Sequence, residues 1–411
     1  MNLEFFIAKK INFESRKRKF SDSILNISII GVAVSIAIMI ISIAISTGFK
    51  NEIKSKLVDL NSHIVLSNLQ NHSSVDRNPL PKTLSYIKHI KNIPEISYIQ
   101  PFCLKPTLLK SKNEIQGLTL KGVDKEYNWE SLKKYMKEGN VLNLNSKKKN
   151  EIIISKYIAE KLNLKLGDKL NATFFNPQRF RRFKIVGIYE TGMLELDKVI
   201  SYVDIRHIQK LNKWTQNEIF GFEIYLKNIK TLKDTESKIK LSMIENFDEN
   251  EHAIKVRGVD RIFPNFFGWL EILNTNVGVI LTLLILVAAI NMMSGLLILI
   301  LDRVNMIGVL KAVGTSNYSI RKVFLYLGSF ITLKGMIWGN IIGISLCLIQ
   351  KWFHLLKLDP TQYSQSVVPV NINVLHILAL NVGTLILIYV ILIIPSYIIT
   401  KVKPVKALKF D

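Results

Sequence analysis

Side chains able to do covalent chemistry are few in this chain, and they are scattered. No Gly-x-x-x-x-Gly-Lys-Ser/Thr run occurs, so the chain carries no phosphate-cradling loop of its own. It also lacks a His-Glu-x-x-His metal motif and a Gly-x-Ser-x-Gly nucleophile elbow, and its seven histidines are dispersed. Its two cysteines cannot form a framework, because Cys103 lies in a mixed polar segment and Cys347 inside an apolar run. Catalytic, cofactor-binding and metal sites are therefore expected to be absent. What remains is mechanical chemistry. Residues 302–322 form a short basic segment between two apolar runs, with Ile307, Leu310 and Val313 at a spacing of three and Lys311 and Arg321 as charges. Gly314 closes it, and Thr315-Ser316 restart a helix. Such a segment can rest at a membrane surface and push an apolar stripe into a groove of another protein. An ordinary turn between two spans is the plainer alternative.

The elements that hold this segment are membrane helices. Four windows (24–49, 272–301, 323–349 and 372–400) are long enough and apolar enough to cross a hydrocarbon core of ~30 Å. The second contains no formal charge, and the third contains only Lys334. That lysine reads as an interfacial group whose stem snorkels, and Asn291 and Asn340 read as hydrogen-bonding between helices. Lys and Arg in the flanks set the orientation. Residues 1–23, 302–322 and 401–411 together hold fourteen, against two in 350–371. Both termini and the 302–322 segment are therefore expected in the cytoplasm, and residues 50–268 outside. The N-terminus reads as an amphipathic helix on the inner membrane surface or as a disordered tail.

The expected fold is an α-helical membrane protein of four spans, with a large α+β periplasmic domain inserted between the first and second. Apolar periodicity runs past the first span to Leu57 and Leu60 and leads into the second from Phe263, so both helices should project outward as stalks. The domain reads as strands over 63–67, 97–101, 115–123, 151–155, 219–225 and 253–256, with helices over 84–91, 156–162 and 230–244. A β-rich insert spans about 138–215, with a hairpin whose loop covers 176–181. The net charge of +23 is spread over the domain and the membrane flanks, where it suits anionic lipid. Without interleaved aromatics it does not form a nucleic-acid platform.

Ile307-Gly308-Val309-Leu310-Lys311-Ala312-Val313-Gly314-Thr315-Ser316 resembles the signature between the second and third spans of the MacB/FtsX superfamily of ABC-transporter permeases. Met306 stands where many members carry an acidic residue. Four further segments sharpen the resemblance toward the lipoprotein-releasing (Lol) permeases of the C/E type. They are Thr47-Gly48-Phe49, His63-Ile64, the run from Arg182 to Gly192, and Pro404-Val405-Lys406-Ala407-Leu408-Lys409-Phe410-Asp411.

That resemblance implies a permease subunit without its own ATPase site. ATP would be bound by a separate cytoplasmic ABC ATPase, docked at Ile307, Gly308, Leu310, Lys311, Ala312, Val313 and Gly314. It implies a second permease copy or paralogue, a lipoprotein substrate and a periplasmic carrier. Pro177, Gln178 and Arg179 are the carrier-docking candidates, with a plain β-turn as the alternative because the loop is short. Lipid-cavity candidates, chosen by their place on the stalks, are Ile36, Ile40, Ile43, Phe49, Phe266, Phe267, Leu270 and Leu273. The other functions left open are an FtsX-like mechanotransmitter acting on a cell-wall hydrolase and a MacB-like efflux permease.

Overall fold

The computed structural model describes residues 3–14, 19–71, 78–111, 114–145, 148–175, 178–245, 253–359, 365 and 367–401. Two compact units emerge: Met1–Lys50 with Trp269–Lys357 and Val367–Asp411, and Asn51–Gly268 with Leu358–Ser366. The carrier candidate Pro177, and the C-terminal segment from Pro404 that helped carry the resemblance, lie outside the described residues.

In chain order the elements begin with α1 (Leu3–Glu14) and α2 (Lys19–Asn61), then β1 (Ile64–Asn68), β2 (Leu80–Pro81), α3 (Ser85–Lys91), β3 (Ile96–Lys110) and β4 (Ile115–Val123). Next come α4 (Glu130–Lys133), β5 (Met136–Gly139), β6 (Glu151–Ser155), α5 (Lys156–Lys161), β7 (Lys169–Phe175), β8 (Gln178–Tyr189), α6 (Leu194–Asp197), β9 (Ile200–Asp204) and α7 (Ile205–Asn212). The domain closes with β10 (Glu218–Ile219), β11 (Gly221–Leu226), α8 (Leu232–Glu245), β12 (Ile254–Gly258) and α9 (Val259–Ile262). The chain returns to long helices in α10 (Pro264–Asp302), α11 (Val304–Ala312), α12 (Asn317–Phe353), α13 (Val374–Ser396) and the short α14 (Ile398–Lys401).

Among the described residues, four helices are long and apolar enough to cross a membrane, as the sequence suggested. Their β-branched, apolar sequences would suit strands in water, but in lipid only a helix satisfies every backbone group within one segment. At 43 residues, α2 runs roughly 65 Å, about twice a hydrocarbon core. α10, at 39 residues, is nearly as long. The bundle closes on a ridge of small residues along α12. A β-carbon on Gly339 would stand 2.6 Å from the Ala33 carbonyl oxygen, and one on Gly335 2.8 Å from Cβ of Val32, so α2 and α12 approach backbone to backbone. Asn340 and Asn381 exchange two amide hydrogen bonds of 2.8 and 2.9 Å between α12 and α13, a helix-to-helix bond of the kind the sequence assigned to Asn340. Asn291 instead packs over Gly31. Phe5 of α1 meets the rings of Tyr326 and Phe330 on α12.

The α+β domain is organised on a ten-stranded sheet in the order β12-β1-β11-β3-β4-β9-β6-β8-β5, with β7 bridging β3 and β8. The β4–β9 and β6–β8 pairs are parallel, and the other pairs are antiparallel. The strands of the 138–215 stretch continue this same sheet. β3 is far longer than the expected 97–101, running on through Pro101 and Pro106 to Lys110. In the sheet each of them faces a ladder partner on one side only, Phe222 of β11 and Thr119 of β4, so the missing N–H is tolerated. The 176–181 loop is likewise shorter than expected. Gln178 and Arg179 belong to β8 and pair with Phe175 and Phe174, so residues 178–181 continue the strand's two-residue alternation.

Candidate functional site

The segment between the second and third spans is a helix of its own. α11 ends where Gly314 turns into the left-handed region at φ +91°, with the Gly314 and Thr315 amides donating to the Lys311 and Leu310 carbonyls. This is a glycine-terminated helix end. Ser316 then caps α12, its Oγ accepting from the Ser319 amide at 3.2 Å. The apolar residues divide by face. Ile307 is fully buried in the bundle core, and Met306 and Leu310 pack against that core. Gly308 is buried as well. Val309 is 49% exposed and Val313 80%, and Ala312 is exposed beside them. Residues four apart share a helix face, so Val309 and Val313 form the free apolar surface, whereas Ile307 anchors the helix. The expected stripe at a spacing of three combined these two roles.

Two cations tie this region to the end of the fourth span. Lys311 Nζ donates to the carbonyl oxygen of Ile399 at 2.7 Å. The Arg321 guanidinium lies 3.7 Å from the centre of the Tyr397 ring, and its Nε donates to Ser396 Oγ at 3.2 Å. A cation at the C-terminal carbonyls of a helix is favourable on both hydrogen-bonding and dipole grounds.

Within the membrane unit, α2, α10 and α13 enclose a cavity of about 420 Å³. Ser46, Thr47, Asn274 and His376 give it a polar end, and Met39, Ile43, Leu281, Ile285, Leu380 and Leu387 line its apolar length. Thr47 is held there by its neighbours: its hydroxyl donates to the Ile43 carbonyl at 2.7 Å, and the Asn371 amide donates to the Ala44 carbonyl at 2.9 Å. A β-carbon at Gly48 would collide with the Pro369 carbonyl. This accounts physically for the Thr47-Gly48-Phe49 sequence.

Of the eight lipid-cavity candidates, only Ile43 lines this space. Ile36 and Ile40 are buried in the helix core, where they face Gly339 and Gly343 of α12. Phe49 packs edge-on against Trp269, Leu270 is buried and Leu273 half-buried. Phe267 lies under the Lys54 ammonium, and Phe266 lines a separate cavity within the α+β domain. The α13 wall was missed. Its sequence signals are the polar residues His376 and Thr384, on a largely apolar span whose amide Asn381 bonds to Asn340 instead. At the β7–β8 hairpin, Gln178 and Arg179 are exposed, beside Phe175 at 63% and Phe180 at 68% exposure.

Comparison with known proteins agrees with this architecture. Residues 26–241 match the model of the MacB-like periplasmic core domain, and residues 278–404 match that of the FtsX-like permease C-terminal region. The lipoprotein-releasing system transmembrane protein LolC of Buchnera aphidicola subsp. Schizaphis graminum is 25% identical to this chain over 95% of its length and 94% of that protein's. LolE, of the same system in Haemophilus influenzae, is 22% identical over 85% of this chain and 83% of that protein. The crystal structure of the periplasmic region of MacB from Actinobacillus actinomycetemcomitans covers 49% of this chain and 91% of its own, at 13% identity and a TM-score of 0.35. This chain belongs to the family of the MacB-like periplasmic core domain, joined here to an FtsX-like permease region.

Proposed function

We propose that the chain is the transmembrane subunit of an inner-membrane ABC transporter that releases lipoproteins to a periplasmic carrier, without an ATPase site of its own. The observation that carries this reading is the apolar cavity between α2, α10 and α13. Its α10 and α13 walls, Asn274–Ile285 and His376–Leu387, belong to the N-terminal halves of those helices, whereas α11 follows the C-terminal end of α10 and touches Ile399 beyond the C-terminal end of α13, so the cavity is in the outer half of the bilayer if α11 is cytoplasmic. Near full-length similarity to LolC and LolE supports the substrate class.

Three acyl chains of roughly 14 methylenes, at ~0.8 kcal/mol each, hold a lipoprotein in the membrane with on the order of 30 kcal/mol. Passage through water is therefore closed, and an apolar wall must receive the chains directly. One copy supplies half of such a chamber, and a second permease copy or a paralogue supplies the rest. A separate ATPase binds ATP and pushes on Val309 and Val313, and Lys311 and Arg321 carry that push to the end of the fourth span. The carrier meets the β7–β8 hairpin through Gln178, Arg179 and the exposed Phe175 and Phe180.

Val313→Asp tests the reading in membranes that contain the whole complex. The expected result is loss of co-purifying ATPase and at least a tenfold drop in ATP-dependent lipoprotein release. Full release with the ATPase still bound would overturn the assignment of the docking face. Normal lipoprotein sorting after depletion of the chain would overturn the function itself.

A further inference from the structure

We propose that the α+β domain holds a second binding site, for a singly charged oxyanion carried on an apolar chain. The site is a cavity of about 400 Å³ on one face of the sheet, within the roughly 300–1,000 Å³ of small-molecule sites. Strand register sets its polar floor in a row. Arg257 of β12 pairs with Val65 of β1, Val65 with Glu223 of β11, and Glu223 with Gln100 of β3. Paired residues of neighbouring strands share a face, so these side chains stand side by side.

Most of the charge in this row is already neutralised. Lys121 Nζ lies 2.6 Å from Glu223, both side chains being 3% exposed. Gln100 donates to the same carboxylate at 2.9 Å, and Lys121 also donates to the Leu60 carbonyl at 2.9 Å. Arg257 is different. Its Nε is buried and has no hydrogen-bond partner among the described residues, yet it lines the cavity. A buried donor left unpaired is costly, and a guanidinium is suited to a carboxylate or a phosphate oxygen. Most of the remaining wall is apolar, with Phe102, Phe220, Phe263 and Phe266 in it. A cation beside aromatic walls fits an amphiphile with an anionic head. Glu195, exposed on the cavity wall, disfavours a second negative charge. The two heads that fit are the carboxylate of a fatty acid and the phosphodiester of a phospholipid. An occupant would touch Asn61 at the end of α2, Phe263 just before α10 and Phe266 in its first turn, bridging the roots of the two long helices. The site goes beyond lipoprotein release and does not depend on it, since occupancy is read without ATPase or lipoprotein.

The test uses the full chain in an uncharged alkyl maltoside detergent with photoactivatable twelve-carbon probes: a carboxylate, a phosphodiester, and a neutral alcohol as reference. The expected result is saturable labelling, mapped by mass spectrometry to β3, β12 and the start of α10, by at least one anionic probe and not by the alcohol. The anionic probe that labels identifies the head group. Arg257→Gln should weaken that labelling at least tenfold, Arg257→Lys should retain part of it, and Thr119→Trp should abolish it by filling the cavity. Hydrogen exchange of the sheet monitors folding in each variant. Absence of saturable labelling, equal labelling by the alcohol, or indifference to Arg257→Gln in a folded sheet would overturn the site.

Discussion

Two glycines on facing helices separate packing from function at the scale of single residues. Gly339 has no room for a side chain, because its β-carbon would press into the backbone of α2, whereas a β-carbon at Gly383 meets nothing within 4 Å. Gly383 lines the membrane cavity. Gly339→Leu should therefore destabilise the bundle by about 1–3 kcal/mol or more, the cost of overpacking, and lower the melting temperature of the purified protein in detergent. Gly383→Leu should leave that temperature unchanged while filling the cavity and reducing lipoprotein release. Comparable melting of the two variants would refute the packing argument, and undiminished release by Gly383→Leu would refute the role of the cavity. The same pair shows where sequence reading ran out. Position along a helix is legible in the apolar run, but the direction a side chain faces is not when the helix is apolar all round. Ile36 and Ile40 were therefore placed in the cavity, although they point at the α12 ridge. The wall contributed by α13 carried His376 and Thr384 as signals.

Among the elements, strand type and order were legible wherever alternation was clean, as in β6 and β8, and illegible where prolines interrupted it, as in β3. The helix between the second and third spans was legible because its stop and restart rest on local chemistry, Gly314 at positive φ and the Ser316 cap. Its working face was not, since that depends on which side the bundle covers. The sheet also carries a pH response that sequence could not reveal. His63 of the α2–β1 connection accepts the Leu226 amide at Nδ1, and burial pushes its pKa down to about 4. His207 of α7 donates from Nε2 to the Lys149 carbonyl, and burial likewise brings it to about 4. A folded-state value below the unfolded 6.5 means that the unfolded chain binds the extra proton. The stability from each histidine is thus complete above pH 6.5 and is lost as pH falls toward 4, by up to about 3 kcal/mol each. Asp197 opposes this. Its burial raises the carboxyl to about 6 despite hydrogen bonds from Thr191, so protonation favours the folded state as pH falls from 6 toward 3.8. With two histidines against one aspartate, the denaturation midpoint of the domain, followed by hydrogen exchange in the full chain, should fall between pH 6.5 and 4. His63→Gln should flatten that slope, and an unchanged slope would show that the buried imidazole is not its source.

At the scale of the whole molecule, the proposal requires that force applied at α11 reach residues beyond the bilayer, and the long helices are the rigid carriers available among the described residues. α2 is unbroken from Lys19 to Asn61, and α10 from Pro264 to Asp302. Stiffness in such a rod comes from its ladder of backbone hydrogen bonds, and each glycine in a helix interior weakens it by about 1 kcal/mol relative to alanine. Asn51, Glu52 and Ser55 are exposed positions on α2, so replacing all three removes no core packing. It removes the 3.8 Å pair between the exposed Glu52 and the buried Lys56, a loss that the alanine control shares. Asn51→Gly, Glu52→Gly and Ser55→Gly together should soften the rod, and the matching triple alanine change should keep it stiff with the same contacts deleted. In the assembled complex, ATP hydrolysis should be similar for both, because the proposed function puts its site in another subunit. Lipoprotein release should fall several-fold for the glycine variant alone. Equal release by the two variants, at equal hydrolysis, would mean that α2 does not transmit the stroke. Loss of hydrolysis in the glycine variant would instead place its effect on assembly.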